Sequence, residues 1–280
     1  MPSPLDIQLS NQVAVVTGGS RGLGQAYALA LAAMGSIVAV VARTQLEVDE
    51  TVSIIQRAGG RAMAFTADVA DPRAVEMAMK NIEGRLGAID LLINNAGIAG
   101  PVGPLWQIDP DDWWHTLEVN FQGAFLCARY VLPDMLSRGK GRLINISSDA
   151  GGFGIPYISA YGLSKTALIR LTETLAIETT GTGVSVFVIS PGTVRTPFTE
   201  AVLASESQKW IPWLAELFEQ GLDVSPDPSV RLVIQLASGK FDALSGRFIT
   251  IEDDLDELLK SVSQIESESL YTLRVNKLGA

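Results

Sequence analysis

Cysteine and histidine are almost missing from this chain of 280 residues, where Cys127 and His115 each stand alone. A lone thiol closes no intrachain disulfide, so nothing implies a stapled, secreted framework. A single histidine argues against a histidine-based triad and against a histidine-rich metal site, so a site without metal is expected. Basic residues are also short, at 21 Lys and Arg against 31 Asp and Glu, for a formal charge of −10. That balance disfavours binding to nucleic acid or an anionic membrane through bulk charge. Glycine is frequent, at 26 residues, yet follows no collagen-like period, and no solenoid-like repeat appears. The first residues, MPSPLDIQLSNQ, lack the basic start and apolar run of a signal peptide, so a cytoplasmic location is expected.

Apolar residues make up 47% and charged residues 19%, which excludes intrinsic disorder. The mean hydropathy of +0.25 raises a membrane question. Gly22 to Ala42 carries no charge over 21 residues, long enough to span a bilayer. Its internal order argues otherwise. Residues 25–34 (QAYALALAAM) favour helix, Gly35 and Ser36 interrupt, and 37–41 (IVAVV) read as a short buried strand. No membrane insertion is expected.

The same alternation continues along the chain. Strands are predicted at 13–17, 37–41, 62–66, 89–93, 142–146, 184–190 and 247–251. Helices are predicted at about 22–34, 45–58, 72–86, 110–137, 157–180 and 229–238. Continuous apolar strands separated by helices specify an α/β fold: a single doubly wound, mostly parallel seven-stranded sheet with helices on both faces. The expected division is an N-terminal extension (1–10), one domain (11–251) and an acidic C-terminal extension (252–280). Residues 197–228 interrupt the rhythm as a long insertion, the kind of segment that forms lids. In the tail, residues 252–268 hold seven acids and one lysine, a pattern that suits an amphipathic, solvent-facing helix.

The first strand runs into TGGSRGLG, Thr17 to Gly24, with a helix after it. Gly18, Gly22 and Gly24 suit a tight turn, close cofactor approach and close helix–strand packing, with the helix N-terminus offered to a pyrophosphate. The GxxxxGK[ST] pattern of a P-loop is absent. An NAD site usually places an acid at the end of the second strand, but here Ala42 is followed by Arg43 and Thr44, and Arg21 lies in the glycine turn. Two guanidiniums and no carboxylate suit a 2′-phosphate, which favours NADP(H); either arginine as a simple surface charge is the plainer reading. Asp68 follows the third strand, where an adenine contact and a cap for the next helix both remain open.

Residues 145–165 read NISSDAGGFGIPYISAYGLSK. Tyr161 and Lys165, four apart, share a helix face. Ser148 lies thirteen residues before Tyr161, just past a strand end. All three belong at the carboxyl edge of the sheet, where open α/β folds bind ligands. A nearby ammonium stabilises a tyrosinate, making the phenol a usable acid/base, and a serine hydroxyl can hold the oxygen where charge changes. Ser147 is off this spacing and stays out of the group.

With these pieces in order, the sequence resembles the short-chain dehydrogenase/reductase family. The matching stretches are TGGSRGLG, Asp68, Asn94-Asn95-Ala96-Gly97, Asn120 in EVNFQG, Ser148, Tyr161-GLS-Lys165 and Pro191-GTVRT, over about residues 10–250. The resemblance implies a Rossmann fold and hydride transfer between a nicotinamide and a carbonyl or alcohol carbon without metal. It implies Tyr161 as acid/base, Ser148 and Lys165 beside it, and Asn120 holding helix geometry and a water that links Lys165 to bulk. Tyr161 and Lys165 also face the cofactor, with Lys165 on the nicotinamide ribose. Ser20, Leu23, Val69, Asn94, Ala96 and Gly97 join the glycines, Arg21, Arg43, Thr44 and Asp68 as cofactor contacts. Pro191, Gly192, Val194 and Thr196 would flank the carboxamide.

Other residues carry plainer expectations. Phe153, Tyr157, Trp210 and Trp213 are assigned to a substrate pocket wall, although packing for Tyr157 and dimer surface for the tryptophans compete. His115, in WWHT, suits a packed or interfacial helix face, and Cys127 a small core position. The insertion has little charge at its apolar core, which points to a mainly hydrophobic ketone or aldehyde. Alternatives are an NAD(H)-dependent secondary-alcohol, sugar or steroid dehydrogenase, a 3-oxoacyl-thioester reductase, and a non-catalytic nucleotide-binding scaffold. Between 197 and 228 six acids face one lysine, which disfavours an acidic carrier protein. The chain also departs from the family's usual glycine-containing ending. That departure casts doubt on a tetramer through the last strand and leaves a homodimer through the two long helices as the firmer expectation of the two. The tail would then cover the last strand or reach a neighbour's pocket.

Overall fold

The computed structural model describes residues 7–275. β1 (Val13–Thr17), β2 (Ile37–Ala42) and β3 (Arg61–Thr66) are linked by α1 (Gly22–Ala33) and α2 (Gln45–Arg57). α3 (Pro72–Leu86) leads to β4 (Ile89–Asn94), and α4 (Pro110–Leu117) and α5 (Gly123–Arg138) precede β5 (Gly141–Ile146). The long α6 (Ser159–Glu178) connects to β6 (Val184–Ser190). All seven strands, including the short β7 (Phe248–Thr250), form one parallel sheet in the order β3-β2-β1-β4-β5-β6-β7. The order reverses between β1 and β4, so a crevice forms at their carboxyl ends.

β-branched residues in these strands serve two cores at once. Ala14 and Val16 of β1 pack with the helices on one face, and Val13 and Val15 pack on the other. This double burial, rather than lipid contact, accounts for the apolar stretch from Gly22 to Ala42. It divides into α1 and β2 at Gly35, whose φ of 94° suits a residue without a side chain. Among the described residues no helix is long and apolar enough to cross a membrane.

Four local differences from the sequence expectations matter. The helix expected at 110–137 is two helices joined by a π-helical turn, Glu118–Gln122. The helix expected from 157 starts at Ser159, because Tyr157 has φ +69° and Ile158 is non-helical. The insertion folds as α7 (Pro197–Leu203), a 3-10 turn at Glu206–Trp210 and α8 (Pro212–Glu219), ahead of α9 (Asp227–Ala237). The segment expected as an N-terminal extension packs in from Leu9, which is fully buried and donates its N–H to Met34 O at 2.9 Å; residues 1–6 lie outside the described region.

The tail is not a solvent-facing helix. α10 (Leu255–Lys260) and α11 (Val262–Ser267) bury Leu255, Leu258 and Ile265 in the core beside α9 and β7. Beyond them, Tyr271 O accepts the Phe248 N–H at 2.8 Å, so the tail covers the outer edge of β7. Buried Glu173 of α6 anchors that segment, accepting from Leu273 N at 2.6 Å and Arg274 Nη1 at 3.1 Å. Residues 276–280 lie outside the described region.

Candidate active site

The glycine turn is built by hydrogen bonds from both sides of the crevice. Thr17 Oγ1 donates to Ile93 O and accepts from the N–H groups of Asn95 and Ala96, both at 3.1 Å. Asn95 Nδ2 then donates to the carbonyls of Thr17 and Gly18. A side chain at Gly24 would place its Cβ 2.1 Å from Gly18 O, and one at Gly18 would meet Ala96 Cα at 2.8 Å. Gly18 and Gly22 also have φ near +60°. Glycine is therefore required here by space and by conformation. Arg21, just before α1, offers it no side-chain cap, leaving N–H groups of its first turn free for an anion. A dinucleotide fits this cradle. Thr17 and Asn95, which tie it together, were absent from the expected contact set; their place in TGG and NNAG was the available signal.

The corner expected to read the adenosine ribose differs from expectation. Gly19 N–H bonds to Val41 O at 3.2 Å, which brings Ser20 and Arg21 beside the segment that carries exposed Arg43 and Thr44. A carboxylate is present after all: Ser20 Oγ donates to Glu47 Oε2 at 3.0 Å. Glu47 lies within the first turn of α2, so the end of β2 alone gave no sign of it. Asp68 accepts from Ala70 N at 3.0 Å, and α3 is instead capped by Asp71, which accepts from Arg73 and Ala74. The capping role considered for Asp68 is thus filled elsewhere. Val69 is buried beneath Gly123 of α5.

The Ser–Tyr–Lys group assembles as the spacing implied. Ser148 follows β5, while Tyr161 and Lys165 sit in the first two turns of α6. Lys165 is 5% exposed and donates from Nζ to Ile146 O at 2.8 Å, with its ammonium 5.5 Å from the centre of the Tyr161 ring. Burial pushes the Lys165 ammonium down to about 8 from its ordinary 10.5. Burial also raises the Tyr161 phenol above its ordinary value, opposed in part by Ser148 and reinforced by Asp149. The expected lowering of the tyrosine by Lys165 is not what the structure shows: burial raises the phenol, and the opposing contribution comes from Ser148. Ser147 is structural, donating to Lys165 O at 2.9 Å.

Asn120 lies within the π-turn and is 1% exposed. Its Oδ1 accepts from Ile98 N at 2.7 Å, and its Nδ2 donates to Ile98 O and to Ser164 Oγ. It therefore stitches the loop after β4 to α6. π-turns are rare and recur at functional sites. A Cβ on Gly97 would lie 3.3 Å from Asn120 Oδ1 and 3.6 Å from Lys165 Nζ, so this residue lines the same floor. Asn94 donates to Asn145 Oδ1 at 2.9 Å, bridging β4 and β5, and its own Oδ1 is buried without a partner. On the far wall Pro191, Gly192 and Val194 follow β6, and Val194 bridges to Val224. Thr196 caps α7 through its hydroxyl while its methyl side faces Gly22, which closes the crevice against the glycine turn.

The insertion covers Tyr161 with an apolar face. Ile211, Leu214 and Phe218 are buried with Ala150 and Ile158, packed by Val202, Ile155 and Tyr161. Phe198 lies 5.8 Å from the Tyr161 ring. Of the expected pocket residues, Tyr157 and Trp210 stack at 5.1 Å, and Tyr157 O accepts from Gly103 N at 2.8 Å. All four expected residues fall outside the buried cluster over Tyr161: Tyr157 is 39% exposed, Phe153 is 62% exposed in a glycine-rich loop, and Trp213 is 41% exposed on the outer side of α8. Helical geometry explains Trp213, since Leu214, Leu217 and Phe218 take the inward stripe. Phe198, Ile211 and Leu214, outside the expected pocket set, are the residues that line Tyr161 instead. His115 is a surface group paired with Glu118 at 3.2 Å. Cys127 is buried, its thiol pushed up to about 12.

A parallel sheet with a glycine cradle at its switch point, beside a buried tyrosine and lysine, defines a dinucleotide-binding oxidoreductase. The short chain dehydrogenase family profile matches residues 12–207, and the chain belongs to that family, the short-chain dehydrogenases/reductases, whose members use NAD(P) cofactors. It is 40% identical over 205 residues to a 3-oxoacyl-[acyl-carrier-protein] reductase of Synechocystis sp., covering 73% of this chain and 83% of that protein. It is 35% identical over 204 residues to a 2-dehydro-3-deoxy-L-rhamnonate dehydrogenase (NAD(+)) of Sphingomonas sp., covering 70% of this chain and 78% of that protein. A crystal structure of a short-chain type dehydrogenase/reductase from Mycobacterium marinum superposes with a TM-score of 0.80 at 30% identity, covering 89% of this chain and 97% of that one.

Proposed function

We propose that this chain transfers hydride between NADP(H) and the carbonyl or alcohol carbon of a mainly apolar substrate, in the reductive direction for a ketone or aldehyde. The observation that carries this reading is the placement of the Tyr161 phenol, between Ser148 and the Lys165 floor on one side and the apolar face of the insertion on the other. When bound, the nicotinamide supplies the hydride. Tyr161, kept protonated by burial, gives its proton to the nascent alkoxide, and Ser148 holds that oxygen as charge builds. The Lys165 ammonium then offsets the negative charge left on the phenolate, and Asn120 fixes the loop and helix that orient it. Arg21 and Arg43 carry the preference for the 2′-phosphate.

The residue groupings form part of the same reading. Residues 197–219 act as the lid of a catalytic domain, and the tail extends it. The assembly is a homodimer through α5 and α6, where Phe125, Leu136 and Leu163 are exposed, while the tail already occupies the edge of β7. An NAD(H)-dependent alcohol or sugar-acid dehydrogenase is the second reading, favoured by Glu47 beside Ser20 and by the Sphingomonas relative. The deciding experiment is a panel of ketones, aldehydes and alcohols assayed with both cofactors. Faster turnover of apolar carbonyls with NADPH supports the first reading; turnover confined to polar alcohols with NAD+ overturns it.

A further inference from the structure

The corner formed by the glycine turn and the first turn of α2 holds charges of both signs. Arg21 and Arg43 are exposed there, and Thr44 beside Arg43 starts α2 without capping it through its side chain. In the same corner, half-buried Glu47 accepts the Ser20 hydroxyl at 3.0 Å. The backbone of Ser20 is itself pinned: Thr51 Oγ1 donates to its carbonyl at 3.2 Å, and Gln25 Nε2 donates to Thr51 Oγ1 at 2.9 Å. This local frame fixes the carboxylate against the turn.

We propose that Glu47 is a selectivity-determining residue of the adenosine corner, holding the Ser20 hydroxyl away from a 2′-phosphate and favouring a free ribose diol, so that the chain accepts both NADP(H) and NAD(H). This inference rests on the nicotinamide-nucleotide reading of the site. Its chemistry is simple. A hydroxyl that donates to a carboxylate has no proton left to donate to a phosphate. The carboxylate repels the added phosphate charge, whereas ribose hydroxyls can donate to it. Arg21 and Arg43 pull the other way, and the balance is a mixed corner rather than an exclusive one.

A plainer role for Glu47 is favourable placement of an acid near the N-terminus of α2. That role predicts a change in stability and none in the ratio of nucleotide affinities. The two are separated by calorimetric titration of the full-length protein with NADP+ and with NAD+, for wild type, Glu47→Gln and Arg43→Ala, alongside thermal melts. Glu47→Gln keeps an acceptor for Ser20 and loses the charge. It should tighten NADP+ by about tenfold, the size of one charge–charge interaction near the surface, and leave NAD+ equal or weaker. An affinity ratio within twofold of wild type overturns the proposal, whatever the melting temperature does. Arg43→Ala reports on the underlying reading: equal weakening of both nucleotides rejects the phosphate role of Arg43 while Glu47→Gln still reads the effect of Glu47. Wild-type protein that binds neither nucleotide rejects both.

Discussion

Lys165→Met should stabilise the protein at neutral pH, although Lys165 belongs to the candidate active site. Lys165 is 5% exposed, and burial lowers its ammonium from 10.5 to about 8. A shift of that size corresponds to about 3 kcal/mol of destabilisation wherever both folded and unfolded forms are protonated. The variant loses the hydrogen bond from Nζ to Ile146 O, worth about 1 kcal/mol. The net gain at pH 7 is then about 2 kcal/mol, or about 5 °C in melting temperature for a domain of this size. The sign follows from proton counts. Between pH 8 and 10.5 the unfolded lysine keeps a proton that the folded one has released, so wild-type stability gains from this group as pH rises; below pH 8 the penalty is constant. Other titrating groups, such as Cys127, cancel when the variant is compared with wild type at each pH. The assay is paired denaturant unfolding from pH 7 to 10. The variant's advantage should be largest at pH 7, disappear near about pH 9.5 and turn into a deficit of up to about 1 kcal/mol, the lost hydrogen bond, on approach to pH 10.5. A variant less stable than wild type at pH 7, with a difference independent of pH, refutes the reasoning.

Three other perturbations follow from packing and charge. Gly24→Ala drives a methyl to within 2.1 Å of Gly18 O, so thermal melts should show a loss of about 2–3 kcal/mol and titration should show loss of nucleotide binding. Leu258→Ala, in the tail, should cost about 2–4 kcal/mol in denaturant unfolding because Leu258 is buried in the core; an unchanged midpoint would place the tail outside the folded unit. Glu47→Gln should move the ratio of nucleotide affinities, as above.

Much of this architecture was legible from residue type. β1, β2 and β6 were marked by β-branched runs such as VAVVT and VSVFVIS, since strands buried on both faces need apolar residues at every position. Tyr161, Lys165 and Ser148 were legible because helical spacing and a strand end fixed their relative placement. The π-turn at Glu118–Gln122 was not, because EVNFQ has no composition that marks one extra residue in a turn. The tail covers the last strand, as one of its expectations had it, but not as a solvent-facing helix, because alternating acids and leucines fit either an exposed helix or short helices with one buried stripe, and only β7 and α9 nearby decide between them. Glu47 was missed for a different reason: its contact is made across 27 residues, by a helix whose phase relative to Ser20 is set by packing.

The central claim is that Tyr161 delivers the proton that accompanies hydride transfer. Its most direct test is a single-turnover measurement of Tyr161→Phe with saturating NADPH and an apolar ketone, with nucleotide affinity measured on the same protein. The structure predicts unchanged nucleotide affinity, an intact fold and a hydride-transfer rate lowered by at least about 10²-fold, the typical contribution of a positioned general acid. A rate within a few-fold of wild type would contradict it.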